Sequence, residues 1–224
     1  MRSWLLPLLS LALPALAAPP AQVEMEYELR RNGAPLAEVH ERLVHGNGSY
    51  ELTETWKGRG FYRLLGRAKR VSRGTVAADG LRPLEFFDER TGRDTARAWF
   101  DWKAGTITSQ YKGKQRTVPL PPRAQDRLSF LLALSFEPEA ASTIVFNIAD
   151  GKGGLSRHEY LVVGRERVHT PAGEFDAIKV MRQKGGDRAE IWLATQHGRL
   201  PVRVLVTEDD GTLYDQVITR ISAP

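Results

Sequence analysis

Apolar and polar residues alternate along most of this chain with the period of a β-strand. In the stretch 23–31, Val23, Met25, Tyr27 and Leu29 fall on one side, and Glu24, Glu26 and Glu28 on the other. Successive strand side chains point to opposite faces, so this is a half-buried strand. Asn32-Gly33 follows, a hairpin signal because both turn positions need positive φ. The chain returns through Leu36, Val39 and Leu43, turns at 45–49, and alternates again from Tyr50 through Leu52 to Trp56.

The same grammar continues. A basic stretch at 61–71 leads to the Asp79-Gly80-Leu81-Arg82-Pro83 turn. Segments 84–90 and 96–105 read as paired strands, and 106–120 as a hairpin around Lys112-Gly113-Lys114. After residue 142, strands are expected at 142–150, 156–168, 187–194, 200–209 and 212–222. Thr170-Pro171-Ala172-Gly173 forms a turn between strands, with Pro171 presetting φ and Gly173 permitting a left-handed position. Turn residues at such regular spacing predict a mainly β fold: a curved antiparallel sheet or incomplete β-barrel. No linker divides it, so 18–224 reads as one domain.

One segment breaks the rhythm. Residues 121–140 open on a proline pair and close near Pro138. Asp126 can accept the free amides of a helix start, and Leu128, Leu131 and Leu132 share one helical face. The segment predicts one helix packed in or over the concave side. It is either a plug filling the sheet or a lid over a cavity.

The N-terminus has a different pattern. Arg2 precedes an apolar run from Trp4 to Leu16, and Ala15-Leu16-Ala17 ends it with small residues. This predicts a secretory signal peptide over 1–17. The run is shorter than the ~20 residues a spanning helix needs, and no transmembrane segment is expected in the mature chain. Cysteine is absent, so neither disulfides nor a cysteine-linked lipid can hold the product. A soluble, exported protein, periplasmic in a Gram-negative cell, is the expected result.

Charge and chemistry narrow the function less. The chain carries +5, falling to +4 once Arg2 leaves with the leader. Its densest basic cluster is 63–73 (Arg63, Arg67, Lys69, Arg70 and Arg73), either a solvated face or a site for an anionic partner. Nothing resembles a nucleic-acid-binding signature. The five histidines lack metal-ligand spacing, and no G-x-S-x-G elbow occurs. No cofactor, metal or catalytic residue is expected. The carboxylates look scattered, with none selected as an acid/base pair.

The aromatic residues are more informative. Tyr50, Trp56, Phe87 and Trp99, with Leu128, Leu131 and Leu132, could line an apolar cavity or simply fill a core. Arg67, Lys69 and Arg70 would then meet an anionic headgroup. Three functions follow: a non-enzymatic binder or carrier of an amphiphilic envelope molecule, an assembly factor pairing with another envelope protein through a sheet edge, and an envelope-polymer hydrolase.

The segments "HTPAGEFDAIKV" (169–180), "IWLA" (191–194) and "LPVRV" (200–204), with "DRLS" (126–129) and "DGLRP" (79–83), resemble a family of exported bacterial proteins catalogued as domain of unknown function 3108. The resemblance covers most of the mature chain. It implies export and a mostly β fold, comparable to the half-open barrels of periplasmic lipoprotein carriers, and it supplies no catalytic residues.

Overall fold

The computed structural model describes residues 19–77, 80–138 and 140–223. The expected leader at 1–17 lies outside the described residues, as does Asp79 of the 79–83 motif.

Alternation becomes strand over nearly the whole chain. β1 (Gln22–Arg31), β2 (Ala34–Gly46) and β3 (Ser49–Gly58) are joined by Asn-Gly turns. Asn32 and Gly33 have φ of 49° and 81°, and Asn47 and Gly48 of 50° and 74°, as two-residue hairpin turns require. The meander continues through β4 (Arg67–Ala77), β5 (Gly80–Arg90), β6 (Ala96–Asp101), β7 (Thr106–Tyr111) and β8 (Lys114–Pro119). A crossing segment then carries β9 (Ala124–Asp126) and the helix α1 (Ser129–Ala133). A second meander follows: β10 (Thr143–Ala149), β11 (Leu155–Thr170), β12 (Gly173–Lys184), β13 (Asp187–Ala194), β14 (Leu200–Thr207) and β15 (Leu213–Ser222).

The fifteen strands of the described residues share one sheet, in the order β8-β7-β6-β5-β4-β3-β2-β1-β15-β14-β13-β12-β11-β10-β9. The β1–β15 pair joins the two meanders. Every pairing is antiparallel except β9 with β10. The sheet is curved and open, not closed into a barrel. The 169–180 signature is the β11–β12 hairpin, and its tryptophan and proline companions are the adjoining strands β13 and β14.

Inward-facing residues of both meanders form one core, with Met25, Leu52, Phe86, Phe146, Tyr160 and Ile191 among its buried members. Each such side chain contributes roughly 1.5–3 kcal/mol on burial. The crossing segment closes the core. Its helix is shorter than the leucine spacing predicts: α1 has five residues, and Leu134–Phe136 tightens into a 3₁₀ turn before Pro138, which disfavours helix in the residue it follows. So short a helix cannot stand alone. Burial of Leu128 and Leu132 and the Asp126 carboxylate hold it. Asp126 Oδ1 accepts the amides of Leu128 (2.8 Å) and Ser129 (2.7 Å).

The same segment ties the two meanders together. Ser72 Oγ of β4 donates to Asp126 Oδ2 at 2.6 Å and lies 2.9 Å from the Tyr50 hydroxyl. Gln125 Nε2 donates to the Leu81 carbonyl at 2.7 Å. The space left beside Leu81, Gln125, Ala133 and Phe146 is about 30 Å³, room for a water and little more. Segment 124–136 is therefore a plug.

Candidate functional site

Strand register sorts the inner face of β2–β5 into rows running across the sheet. The deepest is Leu43, Leu52, Ser72 and Phe86, capped by Asp126. Two residues along each strand comes Glu41, Glu54, Arg70 and Asp88. Two further on comes Val39, Trp56, Ala68 and Arg90. Beyond that β4 and β5 end, while β2 and β3 run on to the Ala37–Gly58 pair.

The middle row is charged and buried: Glu41 is 7% exposed, and Glu54 and Asp88 are each 3%. Arg70 Nη1 donates to Glu54 Oε1 at 2.9 Å, and its Nε lies 3.5 Å from Asp88. Arg90 grips both Asp88 oxygens at 2.9 Å. Burial works against the Asp88 carboxylate, but the hydrogen bonds from Arg90 and the charge of Arg70 outweigh it, holding its pKa below the usual range. Glu41 goes the other way. Burial, then the neighbouring Glu54 charge, pushes its pKa up to about 8. Glu54 is also raised, by burial that Arg70 only partly offsets. Among the described residues, two buried atoms here have no hydrogen-bond partner: Glu41 Oε1 and Arg70 Nε.

Above the Trp56 row the strand ends open into a pocket of about 340 Å³. Leu36, Ala37, Trp56 and Ala68 give it an apolar lining. Tyr62 walls it, and Arg67, Arg90 and Arg93 stand at its edge. The volume is at the lower end of the roughly 300–1,000 Å³ of small-molecule sites.

Tyr62 belongs to a 3₁₀ turn, Gly60–Leu65, that folds over the strand ends. Arg59 fixes its start, pairing with Glu38 and donating its amide to the Leu36 carbonyl at 2.9 Å. Two glycines make the turn possible. A Cβ at Gly58 would overlap the Tyr62 carbonyl. Gly66 has φ of 80°, and a Cβ there would overlap Thr91, whose hydroxyl accepts the Arg67 amide at 2.9 Å. Gly66→Val should thus cost about 1–3 kcal/mol and displace the pocket wall. Urea unfolding checks the first effect, and amide exchange across 58–68 the second.

The residues expected to line a cavity do not converge. Tyr50, Leu128 and Leu132 are in the filled core, and Leu131 is half-buried against it. Phe87 and Trp99 lie on the opposite face, because each neighbours an inward residue, Phe86 and Phe100. Arg97 covers the Phe87 ring at 5.5 Å, and Trp99 Nε1 donates to Glu85 at 3.2 Å. Of the seven, Trp56 alone lines the pocket. The basic trio also divides. Arg67 is exposed at the pocket edge, and Lys69 is exposed on the outer face. Arg70 is not placed to meet a headgroup: it points inward, 5.2 Å from the Trp56 ring and tied to Glu54 and Asp88.

Sequence reasoning missed Leu36, Ala37, Arg90 and Arg93 at the pocket, and the charged row beneath it. The signal for that row was present. Glu54 shares its face with Tyr50, Leu52 and Trp56, and Glu41 shares its with Val39 and Leu43.

The histidines are spread out. His45 contacts the Pro19 carbonyl (2.9 Å), His169 pairs with Glu174 (2.9 Å), and His197 packs on Phe175. His158 lies 3.0 Å from Ser156 Oγ, and burial holds its pKa down near 4. Among the described residues no group of three His, Asp or Glu side chains is placed to hold a metal, and no helix is long and apolar enough to cross a membrane.

No curated protein matches this chain. The solved structures that match include two of low sequence identity. One is a candidate lipoprotein from Parabacteroides distasonis ATCC 8503, 12% identical, covering 92% of this chain and 98% of its own, with a TM-score of 0.37. The other is a candidate exported protein with a YmcC-like fold from Bacteroides fragilis NCTC 9343, 13% identical, with the same coverage and TM-score. Neither is similar enough to inform this site. The family described as "Protein of unknown function (DUF3108)" matches residues 23–218, and the chain belongs to it.

Proposed function

We propose that this protein is a non-enzymatic binder of a single-chain amphiphile with an acidic headgroup, held in the pocket at the ends of β2–β5. The tail would lie on Leu36, Ala37, Trp56 and Ala68. The headgroup would meet Arg67 and Arg93. The observation that carries the reading is the combination of an apolar floor and an arginine edge in one 340 Å³ opening. Arg90 is already committed to Asp88, whereas the Arg67 and Arg93 guanidinium groups have no partner among the described residues. The small volume favours one chain over a multi-acyl lipid. The same reading places the protein outside the inner membrane, exported by a leader at 1–17 and acting as the single domain 18–224.

Pairing through a sheet edge has less support. The edge strand β8 carries Lys114, Arg116 and Pro119, and charge and proline are what edge strands use to repel a new strand. A hydrolase has less still, because the Glu41–Glu54 pair lies a row beneath the pocket lining.

Native mass spectrometry of the protein purified from its own envelope tests the reading. A single-chain acid should co-purify, and dodecyl phosphate should bind the emptied protein. Ala68→Trp, which fills the pocket, should lower that binding at least roughly tenfold, since occluding an apolar site removes well over 1.4 kcal/mol of burial. If nothing co-purifies and dodecyl phosphate does not bind, the reading fails.

A further inference from the structure

The 3₁₀ turn that walls the pocket carries two large apolar side chains directed at solvent. Phe61 is 93% exposed and Leu64 89%, against 40–55% for the other exposed large hydrophobic residues of the chain. They are three residues apart in a helix of three residues per turn, so they project from the same side. Solvation of two such side chains is unfavourable, and the turn does nothing with them inside the molecule.

The segment that carries them is basic. From Thr55 to Ala78 the sequence holds seven Lys and Arg and no Asp or Glu. Arg59 is neutralised by Glu38 and Glu28, and Arg70 and Arg73 by their own partners. Arg63 and Arg67 remain exposed on the turn and just after it, and Arg93 stands across the pocket edge. Asp94 beside Arg93 is the nearest exposed acid in that loop.

We infer that this turn docks on a bilayer leaflet containing anionic lipid. Phe61 and Leu64 enter the headgroup–acyl boundary, and Arg63, Arg67 and Arg93 meet the acidic headgroups. An apolar pair alone anchors weakly. An apolar insertion joined to a basic ring supplies the two signals that stable surface attachment requires. The inference rests on the amphiphile reading of the pocket, and it specifies how that pocket is loaded: docking places its mouth at the level where a single-chain amphiphile leaves the leaflet. Both features belong to one 3₁₀ turn, since Tyr62 faces the pocket while Phe61 and Leu64 face away.

Sedimentation of residues 18–224 with vesicles tests this, using equimolar phosphatidylglycerol and phosphatidylcholine against phosphatidylcholine alone. The protein should partition at least roughly tenfold more strongly onto the anionic vesicles, and high salt should remove most of the difference. Phe61→Ser combined with Leu64→Ser, which removes the apolar pair without adding charge, should lower binding to anionic vesicles at least roughly tenfold. Neither side chain lines the pocket or enters the core, so the urea midpoint and dodecyl phosphate binding should stay at the parent values. Equal partitioning onto both vesicle types, or parent-like vesicle binding by the double variant, overturns the inference. The two readings separate cleanly. Vesicle binding without dodecyl phosphate binding keeps the docking turn and removes the pocket ligand; the reverse keeps the ligand and removes the docking turn.

Discussion

Replacing Arg70 with methionine should lower the unfolding free energy by about 3–5 kcal/mol, the cost of leaving a buried charge unpaired. Arg70 is flanked across the sheet by Glu54 on β3 and Asp88 on β5. Asp88 keeps its two hydrogen bonds from Arg90 in the variant, but Glu54 loses the cation 2.9 Å away. Methionine fills similar volume, so the loss is electrostatic rather than a cavity effect. The damage should therefore be reversible by charge removal alone. Arg70→Met with Glu54→Gln should regain most of the stability, since a buried pair replaced as a pair is often nearly neutral. Urea unfolding of the parent, both single variants and the double variant gives the coupling directly. A single variant as stable as the parent would show that Arg70 and Glu54 are solvated in the folded state.

The second large effect is on pH. Glu41 sits beside Glu54, and burial followed by the Glu54 charge raises its folded-state pKa to about 8, against an ordinary value of 4.5. The folded protein thus keeps a proton that the unfolded chain releases. Such a group contributes its full stabilisation below the unfolded pKa and loses it as pH rises through the folded one. Stability should fall between about pH 5 and pH 8, by up to ~1.4 kcal/mol per unit for one retained proton. Glu54, also raised, acts in the same direction. Asp88 is depressed, so its contribution appears above its unfolded pKa and is lost in acid. The profile should accordingly peak in mild acid. Glu41→Gln, neutral at every pH and similar in size, should flatten the descending limb and exceed the parent in stability near pH 8. Urea midpoints at stepped pH settle it: a parent profile flat from pH 5 to 8 would mean that Glu41 ionises freely in the folded protein.

Both predictions concern a row of residues that was legible in the sequence only in part. Period-2 alternation reveals which face a strand residue takes, and it anticipated most of the strands, the Asn32-Gly33 hairpin and the 169–180 hairpin, but not β9, which lies in the stretch expected to be helical. It also put Glu54 on the same face as Leu52 and Trp56. What it could not reveal is register. Whether Glu54 meets Arg70 or Ser72 depends on how β3 and β4 slide, and a two-residue shift leaves the alternation unchanged. The bulge between Arg73 and Gly74 has no visible pattern in the sequence either.

The pocket was hidden for a related reason. Its lining comes from the ends of four strands and a 3₁₀ turn, brought together only by sheet order. Aromatic content pointed instead to Phe87 and Trp99, which alternation places on the outer face once Phe86 and Phe100 are recognised as core. The basic stretch 61–71 gave no helical period because the turn is only six residues long. Of the residues named as cavity or headgroup candidates, Trp56 and Arg67 line the opening. The crossing segment was easier: its prolines, Asp126 and the leucine spacing mark a helix that needs burial, although a longer one than the five residues of α1.

Where a ligand sits decides whether the pocket is the binding site. A photoreactive fatty acid with a diazirine at its tail can be irradiated with the protein and its adducts mapped by peptide mass spectrometry. The proposed pocket predicts adducts confined to peptides containing Leu36, Trp56, Tyr62 and Ala68, reduced by Ala68→Trp and by excess dodecyl phosphate. Adducts scattered over the outer face, concentrated on β10–β14, or absent altogether would contradict it.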